Sequence, residues 1–553
     1  MRNVMYYGDF DTHTEAREGQ PAQDFFPKDI RGDKLTHLNY AFLDFDAQGN
    51  LEWVQPEMAL NTPAGELVVE PGSASAGLLN SFQELRLRFP NLKIGVSVGG
   101  WTKSGDFSPV AADPVIRAKF VNNLVKFVQY NEMDFLDIDW EYPGAVREGD
   151  PNEHGDEGTN GNFDDFANYV LLLRELRAGL AELSKKTGKQ YELSIAAVAG
   201  NWNAWAGTPW ESEELEGAPF IRDIFAELDF GNIMTYDTTG SWVPTTSHHT
   251  APSSNLAGPS RAQRSARSAI DYYLEHGAPA SKLDVGVAFY TRGWGGVKND
   301  GYDPIGHPGL FATANGAPAD RWAGLVPFRF LPELIGQYGT DANGTPNLKE
   351  YWDDAAQAPY LYSEKDGVFY TYDNARSIAA KADYVKQTGL GGIITWMASQ
   401  DAPTNANITV RDELTTAIFD SLYGPETKLP VVPITTLPLN LNAELTGDNA
   451  DAPTKIALTN NEQLVETDIV LSGVERKHKT VKRPVLVLTG HDGETQTLYL
   501  SDQGITEIEP GQTVQISIPD LSEFTNSGNL QSIELAQRIA NIPYGHQAIW
   551  AAR

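Results

Sequence analysis

Residues 134–144 read Asp134-Phe135-Leu136-Asp137-Ile138-Asp139-Trp140-Glu141-Tyr142-Pro143-Gly144. The run over 135–139 is short and mostly apolar, with the composition of a strand buried on both faces. Side chains alternate along a strand at about 6.6 Å per two residues, which puts Asp137, Asp139 and Glu141 on one face. Three carboxylates on a buried face do nothing for stability, because an unpaired buried charge costs several kcal/mol. A solvated acidic strand end and a Mg²⁺ or Ca²⁺ site are the competing explanations, and those ions need ligands that converge on one centre. Proton transfer is favoured over both. Crowded carboxylates cannot all ionise, so at least one keeps its proton near neutral pH. Glu141, furthest along the strand, is the expected general acid, and no metal or other cofactor is expected.

Similar strand-like runs occur at 3–7, 35–42, 93–98, 193–198, 230–235, 283–289 and 392–396. Each is rich in Val, Ile, Leu or aromatics and bounded by Gly, Asp or Asn. Helical patterns lie between them, as at 115–129, 163–185 and 261–275. Eight strands with intervening helices predict an α/β fold, a closed (β/α)8 TIM barrel. A doubly wound open sheet is the competitor, but such sheets usually carry fewer strands. About 100 residues separate 290 from 391, where one βα unit needs ~30–40. A structureless loop of that length is uncommon, so an α+β insertion subdomain is expected over 294–370, beside the barrel mouth. The composition changes at Tyr423-Gly424-Pro425. Residues 428–436 read as a Pro/Val/Thr-rich linker. Short strands at 455–458, 468–471, 484–489 and 513–518 then predict a C-terminal β-sandwich-like domain. The expected division is a catalytic barrel over 1–424 with 294–370 inserted in it, then a β-rich domain over 425–553.

Composition narrows the function. The 553 residues carry 42 Lys and Arg against 74 Asp and Glu, a formal charge of −32. Nucleic acid is excluded as a partner because phosphate backbones need a basic face, and an anionic membrane surface is excluded on the same ground. No run of ~18 apolar residues predicts a transmembrane helix, and the first residues hold no apolar stretch of signal-peptide length. With no cysteine, disulfides, Cys-zinc sites, iron–sulfur clusters and thiol nucleophiles are excluded. The C-terminal region holds only Tyr499, Phe524, Tyr544 and Trp550 of the chain's 12 Trp, 22 Tyr and 23 Phe. Sugar-binding modules stack sugar rings on rows of exposed aromatics, and so sparse a set argues against that role.

The pattern Asp-x-x-Asp-x-Asp-x-Glu followed by Tyr-Pro-Gly resembles the signature of glycoside hydrolase family 18, the chitinases. Further motifs resemble that family in the same order. Ser97-Val98-Gly99-Gly100-Trp101 ends the third strand. Met234-Thr235-Tyr236-Asp237 ends the sixth, with Gly240 and Trp242 after it. Phe289-Tyr290-Thr291-Arg292 ends the seventh, and Gly391-Gly392-Ile393-Ile394-Thr395-Trp396 makes the eighth. The resemblance covers residues 1 to about 424, and the insertion resembles that of bacterial chitinases with deep clefts. Phe135 and Thr291 stand where the family usually has Gly; neither change removes a catalytic group.

The resemblance implies retaining hydrolysis of β-1,4 bonds in chitin or chito-oligosaccharides, endo-type favoured, with assistance from the substrate's own N-acetyl oxygen. Under it, Glu141 protonates the leaving oxygen and Asp139 holds the acetamido N–H. Asp137 takes up charge or proton as Asp139 swings. Tyr236 hydrogen-bonds the acetamido group and Asp237 helps fix the distorted sugar. Trp396 forms the floor beneath that sugar, Arg292 reaches sugar oxygens, and Met234 joins the substrate-binding set. Ser97 and Tyr6 contact the Asp137 end, and Trp101 and Trp242 serve aglycone subsites. Trp140, Trp202, Trp205 and Trp294 also fall in or after strand ends, where core packing accounts for some. Gly99-Gly100 reads as a tight turn, and His249 as a loop histidine outside catalysis. The substrate implies an extracellular location, although no signal peptide is visible, and a monomer is expected. Three alternatives are an endo-β-N-acetylglucosaminidase, a silent chitin-binding lectin, and a chitinase subunit of an insecticidal toxin assembly. Lectin relatives lose the terminal Glu or an Asp, and all three acids are present here.

Overall fold

The computed structural model describes residues 1–11, 13–14, 23–65, 76–151, 153, 155–200, 217–259, 263–401 and 412–431, and in the C-terminal region 441–446, 455–460, 465–466, 474, 483–505, 507–518, 529–539 and 542–551. Eight strands of the central sheet form the barrel: β1 (Arg2–Gly8), β2 (His37–Phe45), β3 (Lys93–Gly99), β4 (Phe135–Asp139), β5 (Glu192–Val198), β6 (Phe230–Met234), β7 (Leu283–Ala288) and β8 (Gly392–Trp396); a short ninth strand, Leu51–Trp53, pairs antiparallel with the end of β2. All neighbours among these eight are parallel, and β1 pairs with both β2 and β8. The sheet therefore closes, the open-sheet alternative is ruled out, and the fold is a (β/α)8 barrel.

Each barrel strand faces two apolar environments, which is why it reads as a continuous apolar run. Outward side chains pack under helices such as Pro114–Tyr130, Asp165–Thr187 and Ala375–Thr388. The first of these starts where Asp113 accepts hydrogen bonds from the amides of Val115 and Ile116, with Pro114 in the first turn. The helix expected over 261–275 begins only at Ala266, because Ser265 caps it by accepting from Ser268 N. Inward, Val4, Tyr6, Phe42, Phe135, Phe230, Tyr236, Tyr290 and Ile394 form a separate core inside the barrel. Phe135 packs there at 5.4 Å from the His37 ring and 6.0 Å from Phe230. Its register partner on β3 is Gly95, and a Cβ at that position would run into the Phe135 ring. The bulky residue at 135 is thus matched by a neighbour without a side chain.

Between β7 and β8 the chain builds a four-stranded antiparallel sheet, in the order Arg292–Trp294, Val368–Thr371, Ala358–Ser363 and Lys349–Asp353. The helix Leu331–Gln337 covers it through Leu331 and Leu334, against Leu361 and Tyr370. Thr291 sits at the junction, fully buried. Its Oγ1 donates to Gly324 O (2.7 Å) and accepts from Val326 N (3.1 Å). In the C-terminal region a three-stranded sheet (Leu441–Thr446, Lys455–Asn460, Thr513–Ser517) shares one apolar core with a four-stranded sheet (Arg483–Gly490, Thr495–Tyr499, Leu530–Ile539, Ile542–Ala551). That is sandwich packing. The strand expected at 468–471, Phe524 and most of the 428–436 linker lie outside the described residues. Among the described residues, no helix is long and apolar enough to cross a membrane.

A fully buried ion pair ties the helix Ala375–Thr388 to the barrel. Lys381 Nζ lies 2.7 Å from Asp373 Oδ2 and donates to Thr250 Oγ1 (2.6 Å) and to Gly286 O on β7 (2.9 Å). Burial pushes the Lys381 pKa down, against the attraction of Asp373. Lys381→Met strands a buried carboxylate, and is expected to cost about 3–5 kcal/mol. Thermal unfolding of the purified variant checks this, and an unchanged midpoint would show that the pair does not hold β7 in place.

Candidate active site

The last residue of β4 is Asp139. Trp140 then turns outward into the core, stacked on Phe107 at 5.3 Å and edge-on to Tyr169 at 5.1 Å. Glu141 lies past the strand end, and its backbone N–H donates to Ser104 Oγ (2.8 Å). The loop after β3 wraps this end. Gly99 and Gly100 have φ of 102° and 87°, and Gly100 N donates to Asp139 O at 2.8 Å. A Cβ at Gly99 would meet that same carbonyl, so close approach as well as conformation calls for glycine here.

Asp137 is the deepest of the three acids. Tyr6 Oη and Ser97 Oγ donate to its Oδ2 (2.7 and 2.8 Å), while Ser194 Oγ and Asn232 Nδ2 reach its Oδ1 (2.5 and 3.3 Å). The donors come from β1, β3, β5 and β6, and none is charged. Burial raises the Asp137 pKa and these hydrogen bonds oppose the rise. Asp139 is 3% exposed, and its Oδ1 has no hydrogen-bond partner among the described residues. Burial, then the charges of Glu141 and Asp137, push its carboxyl well up. Glu141 is pushed up to about 7. Burial comes first and the charge of Asp237 adds to it, against a hydrogen bond with Tyr142 and the charge of Arg147. Asp139 and Glu141 therefore hold a proton between them at neutral pH. Among the described residues, no group of three or more His, Asp or Glu is arranged to hold a metal ion.

Facing them across the mouth is a carboxylate of opposite character. Asp237 accepts a bidentate fork from Arg292, Nε to Oδ1 at 2.7 Å and Nη2 to Oδ2 at 2.8 Å. Despite burial, the Arg292 guanidinium holds its carboxyl far below the usual range. Arg292, expected to reach sugar oxygens, thus spends its fork on Asp237. Its guanidinium also lies 5.2 Å from the Trp242 ring and 5.6 Å from Tyr290. Trp242 is 60% exposed and folds back over Gly240, where a side chain would collide with it. Tyr236 is buried, T-shaped to Tyr290 at 6.2 Å, and Met234 packs beside it.

Trp396 ends β8 at the mouth. Phe42 and Phe10 stack on it at 5.8 and 6.3 Å, and Tyr6 lies at 5.7 Å. Trp101 is clamped from the other side by Arg147, 4.0 Å from its ring, which also donates to the Trp101 carbonyl. Arg147 is in turn paired with Asp156 (2.6 and 2.9 Å). Trp294 is fully buried and donates to Val243 O, so it belongs to the core, as Trp140 does. Trp202 and Trp205 lie outside the described residues.

The family model described as Glycosyl hydrolases family 18 matches residues 2–401. The chain belongs to this family. Among family 18 relatives, "Chitinase A1" of Niallia circulans is 32% identical over 460 residues, covering 77% of this chain and 60% of its own length. "Chitinase B" of Serratia marcescens is 29% identical over 418 residues, covering 66% of this chain and 73% of its own. The chain thus spans about three-fifths of the first of these. The crystal structure of the Ostrinia furnacalis Group IV chitinase in complex with allosamidin matches with a TM-score of 0.60 and 26% identity, covering 77% of this chain and 100% of that one. Chitinase ChiA74 from Bacillus thuringiensis, at 23% identity, shares the fold with a TM-score of 0.65 over 99% of this chain and 84% of its own.

Several residues of this family 18 site escape sequence reasoning. Ser194 and Asn232 interrupt apolar strands with small polar side chains, a visible signal, but their aim at Asp137 depends on barrel closure. Arg147 lies in a two-residue strand, Val146–Arg147, that pairs with Thr159–Asn160, and gives no signal. His249, taken for a loop histidine, is fully buried with its Nδ1 3.2 Å from Asp237 N.

The raised Glu141 pKa carries a stability cost with a definite sign. The native state binds the proton that the unfolded chain releases above about pH 4.5, so the cost is absent in acid, grows as pH rises, and is complete above about 7. Glu141→Gln removes the ionisation and is expected to stabilise the protein at pH 8 by up to about 3 kcal/mol, with little change at pH 4. Thermal unfolding at the two pH values checks this; equal shifts at both would be inconsistent with a raised pKa.

Proposed function

We propose that the protein is a chitinase that cleaves β-1,4-N-acetylglucosamine linkages with retention, using the substrate's N-acetyl oxygen as nucleophile. The observation that carries the proposal is the file of Asp137, Asp139 and Glu141 at the barrel mouth, the first two buried, across from an Asp237 forked by Arg292. Glu141 is the outermost of the three β4 acids and has a pKa near 7, matched to donating a proton to the leaving oxygen and later recovering one from water. Asp139 Oδ1 is a buried acceptor open to an acetamido N–H. Holding that N–H aims the acetamido oxygen at the anomeric carbon and stabilises the cyclic cation that forms. Asp137, seated on neutral donors, accepts the shared proton when Asp139 turns outward. Tyr236 hydrogen-bonds the acetamido oxygen, Trp396 supports the sugar from below, and the Asp237–Arg292 pair braces the wall. Trp101 and Trp242 offer faces to sugars on the leaving side.

The curated relatives named as chitinases support this substrate. Chitin is an insoluble polymer outside the cell, and an extracellular site of action follows from it. We also assign residues 1–424, including the 294–370 insertion, to catalysis, and treat 425–553 as an accessory β-domain.

Glu141→Gln is expected to lose about 10²–10⁴-fold in turnover while still binding N-acetylglucosamine oligomers, as read by calorimetry alongside kinetics. Near-normal turnover would overturn the acid assignment. Products from an N-acetylglucosamine hexamer should first appear as the β-anomer by NMR, and initial α-anomer would refute retention. A protein truncated after residue 430 should keep its activity on that hexamer; a folded but inactive truncation would contradict the division between catalytic and accessory parts.

A further inference from the structure

The end of β6 makes an abrupt turn. Thr235 N donates to Ile233 O (2.8 Å) and Tyr236 N to Met234 O (2.7 Å), after which Asp237 adopts φ 53°. That left-handed conformation is uncommon for any residue but glycine. The turn aims Tyr236 and the Asp237 carboxylate at the mouth, and it takes the Asp237 N–H out of the sheet ladder. A backbone N–H here needs an acceptor. It finds one in His249 Nδ1, at 3.2 Å.

We propose that His249 is a positioning residue for Asp237, its unprotonated Nδ1 accepting the Asp237 N–H and so fixing the turn that carries Tyr236 and Asp237. This rests on the role given to those two residues above. The same Nδ1 lies 3.4 Å from Asp237 Oδ1, but that oxygen already accepts from Arg292 Nε at 2.7 Å. An imidazole nitrogen cannot both accept the fixed amide proton and carry one of its own, so the ring proton sits on Nε2. Nε2 itself is buried and has no hydrogen-bond partner among the described residues. Asp237 faces the ring from just past β6 and Arg292 from the first strand of the inserted sheet, the Tyr290 ring lies 5.4 Å away, and Asp373 approaches from just before the helix Ala375–Thr388. Burial, with Arg292 adding to it, outweighs the two carboxylates and keeps His249 neutral.

The histidine is itself anchored at both ends. Its carbonyl accepts from Thr238 N (3.2 Å) and Thr238 Oγ1 (3.0 Å), closing the turn from the far side. Thr250, the next residue, lies 3.1 Å from Thr235 O and 2.9 Å from Asp373 Oδ2, and accepts from Lys381. A chain of fixed groups therefore runs from the buried Lys381–Asp373 pair through residues 250 and 249 to Asp237.

Two measurements on the full-length protein test this. With ¹⁵N-histidine labelling, the signal that disappears in His249→Asn should show a neutral Nε2–H tautomer between pH 5 and 8; an Nδ1–H tautomer or an imidazolium would overturn the proposal. In kinetics on the N-acetylglucosamine hexamer, His249→Asn puts an accepting Oδ1 where Nδ1 stood. It should retain most of kcat with an unchanged pH profile, whereas His249→Leu should lose about 100-fold in kcat. An Asn variant as impaired as a folded Leu variant, or a Leu variant as active as the parent, would refute the role. A parent protein with the expected tautomer but no hydrolysis of the hexamer would count against the chitinase reading and in favour of the hydrogen bond.

Discussion

A carboxylate at the centre of an apolar barrel must find hydrogen bonds or keep its proton, and Asp137 dictates what stands around it. Four strands each contribute one small or phenolic neutral donor: Tyr6, Ser97, Ser194 and Asn232. With Arg or Lys in their place, Asp137 would be a permanently ionised half of an ion pair, unable to take a proton. Neutral donors leave its charge adjustable. Asp139 above it is tuned by burial and the charges of Glu141 and Asp137, and Glu141 by burial and Asp237 against a hydrogen bond with Tyr142 and the charge of Arg147.

The nearby cations are engaged elsewhere. Arg292 is forked onto Asp237 and Arg147 onto Asp156 and Trp101. Two carboxylate environments thus coexist across one opening: an Asp237 held ionised by a guanidinium, and the Asp139–Glu141 pair at the end of β4, whose pKa values burial raises. Separating carboxyl groups in this way is how one site supplies both an acid and an anion at a single pH. The barrel supports this because successive strand ends approach the same opening from different directions.

The strands were legible because each is a short apolar run, and the three acids because their period of two puts them on one face of such a run. The antiparallel sheet between β7 and β8 was legible only as excess length. Partners that depend on closure were not: Ser194 is opposite Asp137 in register, yet nothing local pairs 137 with 194. Arg292 pairs with Asp237, 55 residues away, and nothing local in the sequence announces that partner. His249 looked like an ordinary loop residue because its burial comes from elements far along the chain. The cis peptides at Ala41–Phe42, Glu141–Tyr142 and Trp396–Met397 involve no proline, the usual sequence cue.

The first strand of the inserted sheet begins at Arg292 itself, one residue after Thr291 buries its hydroxyl between Gly324 and Val326. The insertion is therefore not a freely exchangeable module hung on the barrel's rim. Grafting in a shorter or unrelated segment would redirect the backbone at the residue that holds Asp237 in its ionised state. Recombination among relatives would have to choose its crossover points outside 291–326, or carry both sides of that junction together. In this chain, the inserted sheet and the charge state of Asp237 are inherited as one unit.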